Sequence, residues 1–233
     1  IYFFIKEFKI YKVNLKRILI MQNEKENELK KIKLGFSSLV IFRNILKTKV
    51  IKKLIKFLNF ELKDNIKQID LYSEFLSELF KCHNNLADYI LSQIFLDDNI
   101  YINKCILKKE INNNLKKILK NELNFFKYIS SFDFSSIFEK EYSKKISEFE
   151  IKEIDFYKIY SEHIKNIDKK GYGIFYDNNM FVLDDKKNII AVKHKDNQDI
   201  KKLYGYEAER NKVISNTKIL LEGKKANNIL LYG

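Results

Sequence analysis

Between residues 37 and 170 apolar side chains recur at three- and four-residue steps, the spacing that gathers them on one face of a helix. The stretch "SSLVIFRNILKTKVIKKLIKFLNFEL" (37–62) sets Val40, Ile41, Ile45, Leu46, Ile51, Ile55 and Leu58 along one stripe, with Ser37 or Ser38 as its N-cap. "DLYSEFLSELFKCHN" (70–84) repeats the pattern through Leu71, Phe75 and Leu79. Further helical segments are predicted over 86–99, 101–123, 134–150 and 154–170, separated by Asp/Asn clusters suited to turns. The count is five or six helices, and no repeat of fixed period runs through them.

After residue 170 the period changes. "GYGIFYDNNMFVLDDKKNIIAVKH" (171–194) alternates short β-rich runs with "DNN" and "DDKKN", which predicts a small meander or pair of hairpins. A helix then runs from about Tyr206 to Leu221, with Val213, Ile214, Thr217, Leu220 and Leu221 facing inward and Gly223 as its stop. The closing "NNILLYG" (227–233) has the Ile229–Leu231 run of a strand over 228–232 covered on both faces, and Gly233 where the chain would turn sharply.

Glycine supports the same division, since Gly35 stands alone in the first 170 residues and the other five follow. The expected fold is mainly α over the N-terminal region, then a small β-rich segment, then a helix–strand unit. The expected domains are a helical one over 21–170, a β-rich connector over 171–198 and a further domain from 199 to 233. Residues 1–20 precede the first methionine, Met21, and read as an upstream extension. Lys6, Glu7, Lys9, Lys12, Lys16 and Arg17 interrupt them too often for a membrane span, and they lack the architecture of a signal peptide.

Composition changes this picture only modestly. The formal net charge is +13, an excess that raises the local concentration of phosphates, nucleic acid or anionic lipid. Yet Lys, Asn and Ile crowd the chain while Trp and Pro are absent, as translation of an AT-rich genome produces. The lysines are spread along helices among acidic neighbours, so a solvated surface is the first reading and a functional basic patch the second. Cys82 and Cys105 form no CxxC pair and read as buried or half-buried thiols of a cytoplasmic protein.

Candidate chemistry is sparse in the helical part. His83, His163 and His194 lie far apart and read as surface or satisfied residues. Asp97–Asp98 and Asp184–Asp185 fall in turn sequences, which explains them without acid–base work. No nucleophile elbow is present. "GYG" at 171–173 follows a helix and precedes a strand, the reverse of a phosphate cradle.

The last 31 residues differ in kind: "LYGYEAERNKVISNTKILLEGKKANNILLYG" (203–233) joins an aromatic–glycine turn, an amphipathic helix, a glycine stop and an apolar strand. The segment resembles the opening of an AAA+ ATPase module. Together with "GYGIFYDNNMFVL" it is similar to a bacterial ATP-binding family described as a domain of unknown function within that group, over about residues 156–233. The resemblance implies that Leu203, Tyr204, Gly205 and Tyr206 line the adenine side of a nucleotide pocket. It also implies that Gly233 is the first glycine of the phosphate loop G-x-x-x-x-G-K-[ST].

On that resemblance ATP and Mg²⁺ are the ligands of an intact parent ATPase, which assembles as a homo-oligomer. The chain stops before the lysine and the Ser/Thr of the loop, so as given it is expected neither to hydrolyse ATP nor to bind it well, and no catalytic or metal-binding residue is named. The alternative is a basic helical protein that binds nucleic acid or an acidic protein partner without nucleotide chemistry. No membrane partner is expected.

Overall fold

A computed structural model describes residues 23–60, 64–176, 178, 180–192 and 204–230. The chain divides into two compact units between Ala191 and Val192. The first unit is mostly helical. It comprises α1 (23–37), α2 (Lys49–Leu58), α3 (Asn65–Phe80), α4 (Leu86–Leu96), α5 (Ile100–Ile106), α6 (Asn113–Ser130), α7 (Lys140–Ser143), α8 (Phe156–Lys165) and α9 (Ile167–Lys170). Short 3₁₀ turns lie at Arg43–Lys47, Phe134–Ile137 and Gly173–Phe175, and β1 (Phe181–Leu183) pairs with β2 (Ile189–Ala191).

The Asp/Asn clusters between helices act mainly as caps. Side chains of Asp64, Asn85, Asn112 and Asp155 each accept a hydrogen bond from the backbone N–H three residues on, and Asn99 accepts from both Tyr101 and Ile102. Each cap satisfies a donor that the first helical turn leaves without a partner, a gain of about 1 kcal/mol. Inside the caps α2 packs on α3, and α6 lies against α4 and α8. Leu54, Phe75, Ile90, Leu123, Phe126 and Tyr160 are fully buried between them.

Three helical segments are shorter than the periodicity predicts. The stripe over 37–62 is not one helix: Ser37 ends α1, the Ser38 hydroxyl donates back to the Gly35 carbonyl, and α2 begins only after Thr48. Val40, expected on the buried stripe, is 57% exposed. The break has a specific cause on α6. Glu122 is buried, and its Oε1 accepts from the N–H groups of Val40 at 2.7 Å and Ile41 at 3.1 Å while Oε2 accepts from Phe42 at 3.0 Å. Three consecutive donors bound to one carboxylate are lost to any helical ladder, and bonds to a charged acceptor are roughly twice as strong as neutral ones.

The segment 101–123 splits into α5 and α6 around residues 107–112, where Lys108 takes a left-handed conformation (φ 50°). Residues 134–150 hold only the 3₁₀ turn and the four-residue α7, although Phe134, Phe138 and Phe149 are all buried. Their rings fill the core from irregular chain, Phe134 and Phe149 each packing on Phe75.

The hairpin forms where "DDKKN" predicts a turn. Phe181 pairs with Ala191, Val182 with Ile190 and Leu183 with Ile189. Asp184 Oδ1 accepts from the backbone N–H of Lys186 and Asn188, which folds the turn around one carboxylate. "GYGIFY" before it is a 3₁₀ turn rather than a strand.

Replacing Glu122 should cost more than any cap. Glu122→Ala leaves three N–H groups without their acceptor and is expected to lower the unfolding free energy by about 3 kcal/mol or more in urea titration. Glu122→Gln is expected to be nearly as damaging, because an amide NH₂ would then face backbone donors. A loss below about 1 kcal/mol for both would mean that the carboxylate does not set the break.

Gly35 is the second fixed point, since a Cβ there would overlap the ring of Phe125 on α6. Gly35→Ala is expected to destabilise by about 1–3 kcal/mol, and the Phe125→Ala change to relieve much of that in the double variant.

Candidate functional site

The second unit contains the turn singled out in the sequence. Gly205 and Tyr206 take positive φ in succession, 82° and 51°, and Tyr206 is the N-cap residue of α10 (Glu207–Leu221). Left-handed backbone suits glycine but costs a tyrosine of order 1–3 kcal/mol. Tyr206 gives nothing back as a cap, for its side chain makes no capping bond. Glu207 and Glu209 stand in the first turn, where the helix dipole favours negative charge. Tyr204 is 99% exposed and Tyr206 83%. Leu203 and Gly233, the other two residues of the expected nucleotide site, lie outside the described residues.

The far end of α10 is tied to the chain that follows it. Gly223 (φ 73°) ends the helix, with its own N–H donating to Leu220 and that of Lys224 to Ile219. The Asn216 side-chain amide then meets the backbone of Asn227 twice: Nδ2 donates to the Asn227 carbonyl at 2.7 Å, and Oδ1 accepts from its N–H at 2.9 Å. An amide side chain thus makes the pair of bonds that a neighbouring strand would make.

Two expectations for this unit need correction. Residues 225–230 form no ladder, and Ile229 and Leu230 are 43% and 83% exposed, so the described part of "NNILLYG" is not a strand covered on both faces. On α10 only Val213 and Ile214 of the expected inward face are half-buried, while Thr217, Leu220 and Leu221 are exposed. No described element of this unit lies over them.

In the helical unit the notable group is His163, which is buried and has no hydrogen-bond partner among the described residues, contrary to its reading as a surface or satisfied residue. It is 1% exposed, and neither ring nitrogen has a hydrogen-bond partner among the described residues. Its ring lies 4.5 Å from that of Phe95 on α4, 5.4 Å from that of Tyr176, and 6.4 Å from that of Tyr160 on its own helix. Burial, helped by the charge of Lys170, holds its pKa below the ordinary imidazole range. The signal was present in the sequence: His163 follows Phe156 and Tyr160 at helical steps of the buried stripe. His83 sits half-buried in the α3–α4 turn beside Tyr89, and His194 lies outside the described residues.

Beside His163 runs a polar chain. Asn44 donates to Asp97 at 3.0 Å, and Asn99 donates to Asp97 at 3.2 Å and to the Tyr160 hydroxyl at 3.4 Å. Burial raises the Asp97 carboxyl above the ordinary range. Asp97 is therefore a core group as well as a turn residue. Cys82 is exposed, contrary to expectation, and Cys105 is half-buried. Among the described residues no group of His, Cys, Asp and Glu could hold a metal ion, and no helix is long and apolar enough to cross a membrane.

Residues 177–233 match the model of a family described as "Protein of unknown function (DUF815)". The match takes in the hairpin and the whole of the second unit and leaves the helices of the first outside it. Neither the curated proteins nor the solved structures gave a match to this chain.

The His163 environment predicts a pH dependence. Its folded pKa lies below the unfolded value near 6.5, so the unfolded chain binds the proton more readily. The stability it contributes is complete above about pH 6.5 and is lost as pH falls toward and through the folded pKa. Unfolding titrations between about pH 5 and 8 should show this slope, and His163→Phe, which fills the same space, should flatten it. An equal slope in the variant would assign the dependence to other groups.

Proposed function

We propose that residues 204–230 open an AAA+-type nucleotide-binding module, and that the intact protein binds ATP with Mg²⁺ and hydrolyses it. The observation that carries this reading is the Tyr204–Gly205–Tyr206 turn, with two successive left-handed residues and two exposed aromatic rings at the start of α10. Strain of this kind at an exposed turn stabilises nothing in the described unit, and it clusters where a ligand is held.

In this reading the tyrosine rings offer flat faces to a purine, and Gly205, with no heavy atom within 4 Å of where a Cβ would stand, leaves room for its edge. Leu203, which lies outside the described residues, would complete the apolar side of the adenine pocket on this reading. The Asn216–Asn227 pair fixes where the chain leaves α10 on its way to Gly233, the first glycine of the phosphate loop. A bound magnesium ion would neutralise charge on the phosphates, held by loop residues that follow Gly233. The helical unit would recognise what the module acts on, and the module would work as a homo-oligomer.

The test uses the product of the complete reading frame that contains this chain. Mg²⁺-dependent ATP turnover is expected, with Tyr206→Ala raising KM for ATP about tenfold, the equivalent of one lost stacking contact, and leaving kcat nearly unchanged. A product that binds no nucleotide, or a KM unmoved by both Tyr204→Ala and Tyr206→Ala, would overturn the assignment.

A further inference from the structure

The short turn ahead of the hairpin is held to the helices by few contacts, and one of them is made by a titratable ring. Gly173, buried and at positive φ (55°), lies against the Leu96 carbonyl and Asp98 at the end of α4. Tyr176 packs on Phe95 at 4.9 Å and on His163 at 5.4 Å. On its outer side the turn carries the hairpin, with Phe175 set 5.0 Å from Phe181. The His163 ring thus sits under the residue at which the helical part ends, since the family match begins at the next one, 177.

Nothing around the ring receives a proton's charge. Of the two carboxylates that follow α4, Asp97 is engaged by Asn44 and Asn99, and Asp98 by Asn103. Glu162, Lys158 and Lys165 on α8, and Asp168, Lys169 and Lys170 on α9, stand exposed, and none bonds to the ring. Tyr160, Tyr172 and Tyr176 are the other titratable groups there. Aromatic faces attract a cation weakly compared with the hydration it gives up on burial. His163 lies in the last turn of α8, where the helix dipole favours a cation once water can reach it. The neutral ring therefore belongs to the closed arrangement and the charged ring to an open one.

We propose that the His163–Tyr176 contact is a proton-sensitive latch: when the imidazole takes up a proton, the turn over residues 171–176 and the hairpin after it open from the helical core. The turn is the side that gives way. Its Ile174 and Phe175 are already 46% and 42% exposed, whereas Phe95 and Tyr160 belong to helices anchored through the main core. The inference concerns the helical unit and its hairpin and does not require the second unit to bind nucleotide.

Hydrogen exchange of the full chain, followed by mass spectrometry at about pH 7.5 and about pH 5.5 and corrected for intrinsic rates, tests the latch. One proton taken up at an open-state pKa near 6.5 lowers the protection of residues 172–191 by about five- to tenfold between those two values. Protection in α6, which makes no contact with His163, is expected to stay constant. His163→Phe should remove the pH dependence and keep the turn closed. Tyr176→Ala should lower protection of the turn at both values and remove the dependence from the other side, without unfolding α6. Unchanged protection of residues 172–191 in the parent chain, an equal loss in α6, or the same dependence in both variants would each overturn the proposal.

Discussion

The carboxylate of Glu122 is the interaction on which the helical unit depends. It captures the backbone of residues 40–42 from the middle of α6, eighty residues on from Phe42. That capture ends the run of α1 and turns the Phe42 ring into the core, 5.6 Å from Phe126 and 5.3 Å from Tyr160. Phe126 lies one helical turn after Glu122, so the same face of α6 grips the loop by charge and by packing. The Tyr160 hydroxyl continues the path through Asn99 and Asp97 to Asn44, two residues beyond Phe42. A closed circuit of polar and aromatic groups, buried except at the exposed Asn44, thus joins α6, α8, the α4–α5 turn and the chain ahead of α2. His163, at the edge of this circuit, is the buried group left without a partner among the described residues.

How much of this is legible in the sequence follows from the range of each interaction. Caps, the Asp184 turn and the stop at Gly223 are local, and the residue types that make them stand beside the elements they end. The break after α1 is not local. Apolar residues continue at helical steps through 37–62, and only the distant Glu122 takes the donors away. Residues 134–150 mislead for the opposite reason: Phe134, Phe138 and Phe149 recur at near-helical spacing but reach the core from chain that is mostly not helical. In the site, Asn227 and Asn228 pointed to a strand that residues 225–230 do not form, whereas the Tyr204–Tyr206 turn was marked by its glycine. The bonds from Asn216 to Asn227 were not, because nothing in the composition of α10 distinguishes a polar residue that clips a neighbour from one that faces solvent.

The two units therefore bear on function in different ways. The helical one closes its own core. The second buries little among its described residues and invests its structure in two local devices, a strained aromatic turn before α10 and an amide clip after it. The family match covers the second unit and the hairpin before it, while the helices of the first fall outside.

Reading the coding DNA beyond the codon for Gly233 tests the nucleotide-binding assignment most directly. The account predicts an open frame whose next residues complete G-x-x-x-x-G-K-[ST] from Gly233. A stop codon there, or a continuation without the lysine and the Ser/Thr, would contradict it and leave the helical unit to carry the function.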